Sequence, residues 1–120
     1  MKGEQFLIRK IQFSLVYDEG KSWASKEVVV RALANGLGSS QFGFVVSRRV
    51  GNAVVRNRVK RRLREIIRKI PVQPGWDIII IARNPAPAAS FMDLSQSVRK
   101  LLVRAGLVTG ENEGFSAGTN

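Results

Sequence analysis

Residues 52–70 carry a regular pattern that leaves little choice in how they fold. Apolar side chains recur there at helical spacing: Val55, Val59, Leu63, Ile66, Ile67 and Ile70. A stripe of this kind is typical of an amphipathic helix that buries one face in a core. Asn52, in front of the stripe, is a favourable N-cap residue, and Pro71 ends the segment. We therefore predict a long helix with one buried and one exposed face.

Positive charge is concentrated on this helix and on the residues just before it. The chain of 120 residues has 20 Lys and Arg against 9 Asp and Glu, a net charge of +11. Residues 48–69 alone hold ten basic residues and a single acid, Glu65, which accounts for +9 of that charge. A helical projection places Val54, Asn57, Arg61 and Arg68 at the centre of the exposed face.

A charged helix face can be exposed to solvent alone or can bind a polyanion. The residue types on this face distinguish the two interpretations. Solvated faces usually mix both signs of charge, which aids solubility and pairing between turns. Here Arg outnumbers Lys six to one within residues 56–68, and Arg pairs with phosphates through two N–H groups at once. A purely solvated face needs neither an apolar residue such as Val54 nor an amide such as Asn57 at its centre. The pattern favours a nucleic-acid-binding helix, without deciding between DNA and RNA.

The remaining segments predict a small α+β domain in which helices pack on one sheet. Residues 4–17 have helical periodicity and carry two stripes on opposite faces. The first apolar stripe is Leu7, Ile8, Ile11 and Leu15, and the second consists of Phe6, Lys10, Phe13 and Tyr17. Strands are predicted at residues 22–25, 26–33, 41–47 and 77–82. The last of these is apolar on both faces, which is typical of a central strand.

A final helix is predicted between Ser90, the start of a capping box, and Gly106, a C-terminal stop. Its apolar stripe consists of Phe91, Leu94, Val98, Leu101, Leu102 and Ala105. The expected domain therefore covers residues 1–106. The segment GENEGFSAGTN, residues 110–120, is polar and rich in glycine, and we expect residues 107–120 to form a disordered tail.

The residue types that are absent from the sequence exclude several kinds of catalytic and metal site. The chain has no cysteine and no histidine, so it lacks disulfides, thiolate metal sites and the usual general base. Its nine acids are scattered, whereas metal-dependent hydrolysis needs clustered ligands. The longest apolar run, Ile78–Ala82, is far too short to span a membrane, and the N-terminus lacks the apolar core of a signal peptide. We expect a cytoplasmic protein with no membrane partner.

Residues 42–68, FGFVVSRRVGNAVVRNRVKRRLREIIR, closely resemble the signature of the protein subunit of bacterial ribonuclease P. In that family a strand ends in Ser and two basic residues, followed by V-G-x-A-V and R-N-x-x-K-R-x-x-R. The matching residues are Ser47, Arg48, Arg49, Val50, Gly51, Ala53, Val54, Arg56, Asn57, Lys60, Arg61 and Arg64. The spacing of Arg9, Phe13, Tyr17 and Gly20 and the later D-I-I-I-I-A-R are also similar, so the resemblance covers residues 5–105.

The resemblance implies the element order helix, three strands, helix, strand, helix. It also implies a left-handed βαβ crossover through the basic helix, of the kind also seen in ribosomal proteins, against the general right-handed rule. In function it implies a protein cofactor of a catalytic RNA that removes the 5′ leader of precursor tRNA by hydrolysis. The RNA and its Mg²⁺ ions are expected to carry the chemistry, with protein and RNA in a one-to-one complex and no catalytic protein residue.

The resemblance also assigns roles to particular residues. The predicted RNA-binding residues lie on the basic helix and the turn before it: Arg48, Arg49, Val54, Arg56, Asn57, Arg58, Lys60, Arg61, Arg62, Arg64 and Arg68. The predicted leader-binding cleft consists of Phe13, Tyr17, Lys10 and Val30. Many relatives have an aromatic residue on the strand that faces this cleft, whereas residues 28–33 here are VVVRAL. We expect stacking of a base at that strand to be lost or replaced by apolar contact.

Three other functions stay open at the level of sequence. A ribosomal or other structural RNA-binding protein would share the basic helix but would bind precursor and mature tRNA equally. A protein-only nuclease is disfavoured by the absent histidines and scattered acids. A membrane-surface helix is the weakest alternative, because the apolar stripe of residues 52–70 is needed for the core.

Overall fold

The computed structural model describes the backbone of residues 10–109 and the side chains of residues 13–109. The elements are α1 (Lys10–Glu19), β1 (Lys21–Ala24), β2 (Val28–Ala34), β3 (Gln41–Val45), α2 (Ala53–Arg68), β4 (Trp76–Ala82), a 3₁₀ turn (Ala86–Ala88) and α3 (Phe91–Arg104). The predicted α+β class and element order are confirmed. The first residues of the predicted N-terminal helix, 4–9, lie outside the described part of the chain.

The four strands form one sheet in the order β1-β2-β4-β3. β4 pairs antiparallel with β2, with Val28 opposite Ala82, and parallel with β3, with Gln41 opposite Asp77. The predicted central position of β4 is confirmed, since its isoleucines at 78, 79 and 80 are fully buried. Parallel neighbours require a crossover connection, and α2 provides it between β3 and β4. The hand of that crossover stays a prediction.

Helices cover the two faces of the sheet unequally. The larger core lies under α2 and α3, where Val28, Ile80, Leu63 and Leu101 belong to one cluster of buried side chains. α1 packs on the opposite face through Val16, which meets Ile79 of β4 in a smaller buried cluster. Burying one such aliphatic side chain stabilises the fold by about 1.5–3 kcal/mol. Among the described residues on the α1 face, Leu33, Val45 and Ile81 are only partly buried.

The start of α2 depends on two neighbouring residues. The side-chain oxygen of Asn52 accepts a hydrogen bond of 3.0 Å from the Val55 backbone N–H, which confirms the predicted N-cap. A Cβ added to Gly51 would lie 2.7 Å from Cγ1 of Val55. A side chain at position 51 would therefore force Val55 to shift, and glycine lets Val55 pack against the turn before the basic helix.

The predicted end of the domain at Gly106 falls too early. Gly106 does end α3, with a positive φ of 77°, and its position as a stop is confirmed. The chain then folds back, however, so that Leu107 and Val108 are 1% and 0% exposed. Val108 pairs with Val72, and the Thr109 N–H donates to the Pro71 carbonyl over 2.7 Å. The packed unit reaches Thr109, and the predicted disorder of residues 110–120 lies outside the described residues.

Two apolar residues lie differently from the sequence prediction. Leu15, which belongs to the first apolar stripe of the N-terminal helix, is 48% exposed, and the buried contact of α1 is made by Val16 instead. Phe91, predicted as part of the α3 stripe, is also exposed because it occupies the first residue of the helix, where little of the core is within reach. The other members of that stripe, Leu94, Val98 and Leu101, are buried as predicted.

Candidate nucleic-acid interface

The exposed face of α2 is laid out as the helical projection predicts. Val54 is 74% exposed, and Asn57, Arg61 and Arg68 are exposed further along the helix. The opposite face is in the core, through the buried side chains of Val59, Leu63, Ile66 and Ile67. We call the exposed set Val54, Asn57, Arg61 and Arg68 the α2 face. An exposed valine at the start of this cationic helix provides an apolar contact point that a charged surface alone lacks.

Five half-buried basic residues flank the α2 face: Arg56, Arg58, Lys60, Arg62 and Arg64. Long cationic side chains commonly bury their stems and keep their charge near the surface. Arg56 Nε donates to the Gly51 carbonyl over 3.1 Å, which ties it to the turn before the helix. Arg62 Nη1 donates to the Ala89 carbonyl over 3.4 Å. Arg62 thus also connects α2 to the segment before α3, in addition to its predicted role in RNA binding.

The turn between β3 and α2 adds two more cations. Arg48 and Arg49 are exposed, and their backbone conformation is fixed by hydrogen bonds across the turn. The Val50 N–H donates to the Ser47 carbonyl over 3.0 Å, and the Gly51 N–H donates to the Arg48 carbonyl over 3.3 Å. The predicted RNA-binding residues from Arg48 to Arg68 therefore form one continuous stretch of turn and helix.

A concavity of about 480 Å³ lies next to this turn. It is lined by Lys26, Ser47, Arg49, Arg83, Asn84 and Pro85, and we call it the basic notch. Three of its lining side chains are cationic and none is acidic. Arg83 Nη1 donates to the Ser25 carbonyl over 2.7 Å, which holds this guanidinium at the rim. The notch is suited to a phosphate group, since Arg, Lys and hydroxyl donors all bind phosphate oxygens.

Sequence reasoning missed two cations of the notch, Lys26 and Arg83, although a signal was present. Parallel β3 and β4 end at the same edge of the sheet, and antiparallel β2 begins there, with Val28 opposite Ala82. Residues just before β2 and just after β3 and β4 must therefore meet. Arg83 directly follows the D-I-I-I-I-A segment, but that segment alone does not indicate a binding role.

On the α1 face of the sheet, the two predicted aromatic residues have different surroundings. Phe13 is half-buried and packs against the cluster of Val16 and Ile79. Tyr17, one turn further along, is 41% exposed. Phe13 therefore contributes to the core as well as to the surface, while Tyr17 is mainly a surface residue. The side chain of Lys10, the third predicted member of this cleft on α1, lies outside the described residues.

The prediction that Val30 lines the leader-binding cleft is wrong. Val30 is 0% exposed and belongs to the core under α2 and α3, on the other side of the sheet from α1. Successive strand residues point to opposite faces, so a shift of one position reverses the direction of the side chain. The neighbouring residue on the α1 face is Arg31, whose guanidinium lies 5.5 Å from the centre of the Tyr17 ring.

Two features that would suggest other functions are absent from the described part of the chain. Within residues 13–109, no group of three or more acidic, histidine or cysteine side chains is placed to hold a metal ion. No helix within the described part is long and apolar enough to cross a membrane.

The fold and this surface define a class of small α+β proteins with a basic helix on one face of a sheet and an aromatic-bearing helix on the other. The family model for ribonuclease P matches residues 1–106. The ribonuclease P protein component of Roseiflexus castenholzii is 42% identical over 102 residues, covering 82% of this chain and 84% of the relative. That of Dehalococcoides mccartyi is 38% identical over 117 residues, covering 98% of each chain.

Solved structures agree with the sequence relatives. The RNase P protein of Staphylococcus aureus superimposes with a TM-score of 0.78 at 31% identity, covering 86% of this chain and 96% of that one. The RNase P protein from Thermotoga maritima gives a TM-score of 0.75 at 34% identity, covering 84% and 97%. The chain belongs to the ribonuclease P protein family, as the signature at residues 42–68 predicts.

Proposed function

We propose that this protein, as the protein subunit of ribonuclease P, binds two nucleic-acid partners on two surfaces. The α2 face and its flanking cations bind the catalytic RNA. Tyr17, Phe13 and the basic notch bind the single-stranded 5′ leader of precursor tRNA. The observation that carries this proposal is the separation of a cationic helix face from an aromatic-bearing sheet face within one small domain.

The α2 face suits a folded RNA for two reasons. Its cations are carried by a helix whose other side is part of the core, so little backbone freedom is lost on binding. Phosphate contacts supply most of the affinity for nucleic acids. A deep, narrow A-form major groove does not admit a helix, so Val54 and Asn57 suit irregular regions of an RNA better than a regular duplex.

The α1 face suits a single strand rather than a duplex. Unpaired bases stack on aromatic side chains while cations follow the backbone phosphates. The basic notch, at the carboxyl ends of β3 and β4, provides phosphate donors through Arg49 and Arg83. Tyr17 provides an exposed ring on the α1 face. Only precursor tRNA has a leader, so this face distinguishes the substrate from the mature product.

The proposal assigns the hydrolysis to the RNA, with Mg²⁺ acting through that RNA. The chain has no histidine, and its described acidic residues are not clustered, so the residues described do not fit a Mg²⁺ site. No protein step is therefore derived through the metal. The proposal includes a one-to-one complex of protein and RNA and, because precursor tRNA is the substrate, action in the cytoplasm.

Reconstitution tests this assignment of roles. The purified full-length protein should leave precursor tRNA intact in Mg²⁺ and should stimulate cleavage by a bacterial ribonuclease P RNA when Mg²⁺ is low. The stimulation arises because the protein replaces part of the cation screening that the RNA and its substrate otherwise need. Cleavage by the protein alone, in a preparation treated to remove RNA, would overturn the RNA-borne chemistry.

A further inference from the structure

Arg31 occupies an unexpected position for an arginine, in the middle of a sheet strand on the α1 face. It lies on β2, opposite Ile79 of the central strand and next to Ser22 of the edge strand. The residue is half-buried, and its Nε atom is shielded from solvent without a hydrogen-bond partner among the described residues. A buried N–H without a partner is costly, so some other contact must hold the side chain in place.

The guanidinium of Arg31 is directed at the end of α1. Its Nη2 donates to the Tyr17 carbonyl and lies 3.5 Å from the carbonyl oxygens of Val16 and Gly20. The Val16 and Tyr17 carbonyls lie in the last turn of α1, and the Gly20 carbonyl directly follows the helix. Backbone acceptors at a helix C-terminus attract cations. Arg31 thus acts as a side-chain cap that fastens the C-terminal end of α1 to the sheet.

Gly20 allows this end of α1 to lie close enough to the sheet. A Cβ added to Gly20 would lie 2.5 Å from the Val16 oxygen and 2.8 Å from the Ala32 oxygen, both of them backbone atoms. The turn after α1 therefore rests directly on β2, beside Arg31. The position of the helix end is set by close backbone packing together with the Arg31 hydrogen bonds.

The same guanidinium also contacts the side chain of Tyr17. Its central carbon lies 5.5 Å from the centre of the Tyr17 ring, within the range of a cation–π contact. One charged group therefore holds both the backbone carbonyl and the ring of the same residue. An exposed tyrosine ring would otherwise exchange between rotamers, and ordering it on binding a base would cost part of the stacking free energy.

We propose that Arg31 is the positioning residue of the leader site, holding the Tyr17 ring ready to stack on an unpaired base. This inference rests on the proposed function, in which Tyr17 contacts the leader. It explains how a strand without an aromatic residue at this point still serves the cleft: the arginine orders the aromatic residue on the neighbouring helix instead of supplying a ring of its own. Arg31 acts through Tyr17 and does not need to touch the RNA.

A double-mutant cycle with Arg31→Met and Tyr17→Ala tests this coupling in the reconstituted holoenzyme. The measured quantity is the ratio of the dissociation constants for mature and precursor tRNA. Arg31→Met keeps an unbranched apolar stem, removes the charge and the hydrogen-bond donors, and should lower this preference by about two- to fivefold in the wild-type background. In the Tyr17→Ala background the same change should have less than about a 1.5-fold effect. Arg31→Lys, which keeps the charge but not the planar fork, should fall in between.

A second measurement follows the ring without any RNA. Tyr17 is the only tyrosine of the chain, so incorporation of 3-fluorotyrosine gives a single ¹⁹F resonance that reports its surroundings. Arg31→Met should move this resonance towards its position in the unfolded protein. Arg104→Met serves as the matched control, because it removes the same charge from an exposed residue at the end of α3, and it should leave the resonance unmoved.

The outcomes separate this inference from the proposed function. An equal loss of preference in both backgrounds would mean that Arg31 contacts the leader directly, and would overturn its positioning role. An unmoved ¹⁹F resonance in Arg31→Met would overturn it as well. If Tyr17→Ala alone leaves the preference for precursor tRNA intact, the proposed leader site fails, while the ¹⁹F resonance still decides whether Arg31 holds the ring.

Discussion

At the scale of single residues, Arg61 is the sharpest probe of the α2 face. It is exposed, its neighbours on the core side of the helix are Leu63 and Val59, and its removal leaves that core intact. We predict that Arg61→Ala weakens binding of the catalytic RNA by about 1.5–3 kcal/mol, the usual worth of a hydrogen bond to a charged group. The free energy of unfolding should change by less than about 0.5 kcal/mol. Binding titrations and denaturant unfolding of the same preparations measure both quantities.

Arg104→Ala is the matched control for that prediction, since it removes an exposed arginine from α3 instead of α2. An equal loss of RNA affinity in the control would show that overall charge, and not the α2 face, determines binding.

Phe13 and Tyr17 should respond differently to truncation, although both lie on the same side of α1. Phe13 packs on the buried pair of Val16 and Ile79, so Phe13→Ala should lower the free energy of unfolding, by up to the ~3–5 kcal/mol of a fully buried phenylalanine. Tyr17→Ala should leave stability closer to that of the wild type, because its ring is largely exposed. Thermal melts compare the two variants, and equal losses of stability would place both rings in the core.

At the scale of elements, the segment after α3 packs into the core, although the composition of the C-terminal residues predicts a disordered tail. Deleting residues 107–120 removes the buried side chains of Leu107 and Val108 and should cost about 3–5 kcal/mol of stability. Deleting residues 110–120 is the control and should have little effect on the unfolding midpoint. Identical midpoints for the two truncations would contradict the packing of Leu107 and Val108.

The elements that the sequence predicts well are those with a long, regular signal. The stripe from Val55 to Ile67 and the cap at Asn52 define α2, because several turns of one helix repeat the same information. The strand Asp77–Ala82 is likewise marked by its unbroken apolar run. The register of β2 has no such signal. Its residues 28–30 are all valine, so neither face is marked by polarity, and Val30 is easily assigned to the wrong face.

The site is predictable only where its residues are neighbours in sequence. The α2 face is read directly from one helix, whereas the basic notch draws on residues before β2, after β3 and after β4. Its assembly depends on which strands pair and in which direction, and Lys26 and Arg83 carry no local mark of that pairing. The bond from Arg31 to the end of α1 depends in the same way on how the helix docks on the sheet.

At the scale of the whole molecule, the charge of +11 should dominate the response to salt. If about five phosphates are neutralised, a plot of the logarithm of the RNA association constant against the logarithm of salt concentration should have a slope of roughly −3 to −5. Arg61→Gln should make this slope shallower by about 1, since it removes one phosphate contact. A flat dependence would mean that the basic helix is not the contact surface.

The most direct test of two separate binding surfaces is the affinity of the reconstituted holoenzyme for precursor and for mature tRNA. The wild-type protein should raise the affinity for precursor tRNA above that for mature tRNA, relative to the catalytic RNA alone. Tyr17→Ala should lower the affinity for precursor tRNA by about 1–3 kcal/mol, the worth of one stacked base, and leave mature tRNA unchanged. Arg61→Ala should leave the ratio of the two affinities unchanged once assembly with the RNA is complete. A wild-type protein that raises both affinities equally, with Tyr17→Ala indistinguishable from it, would contradict a leader site on the α1 face.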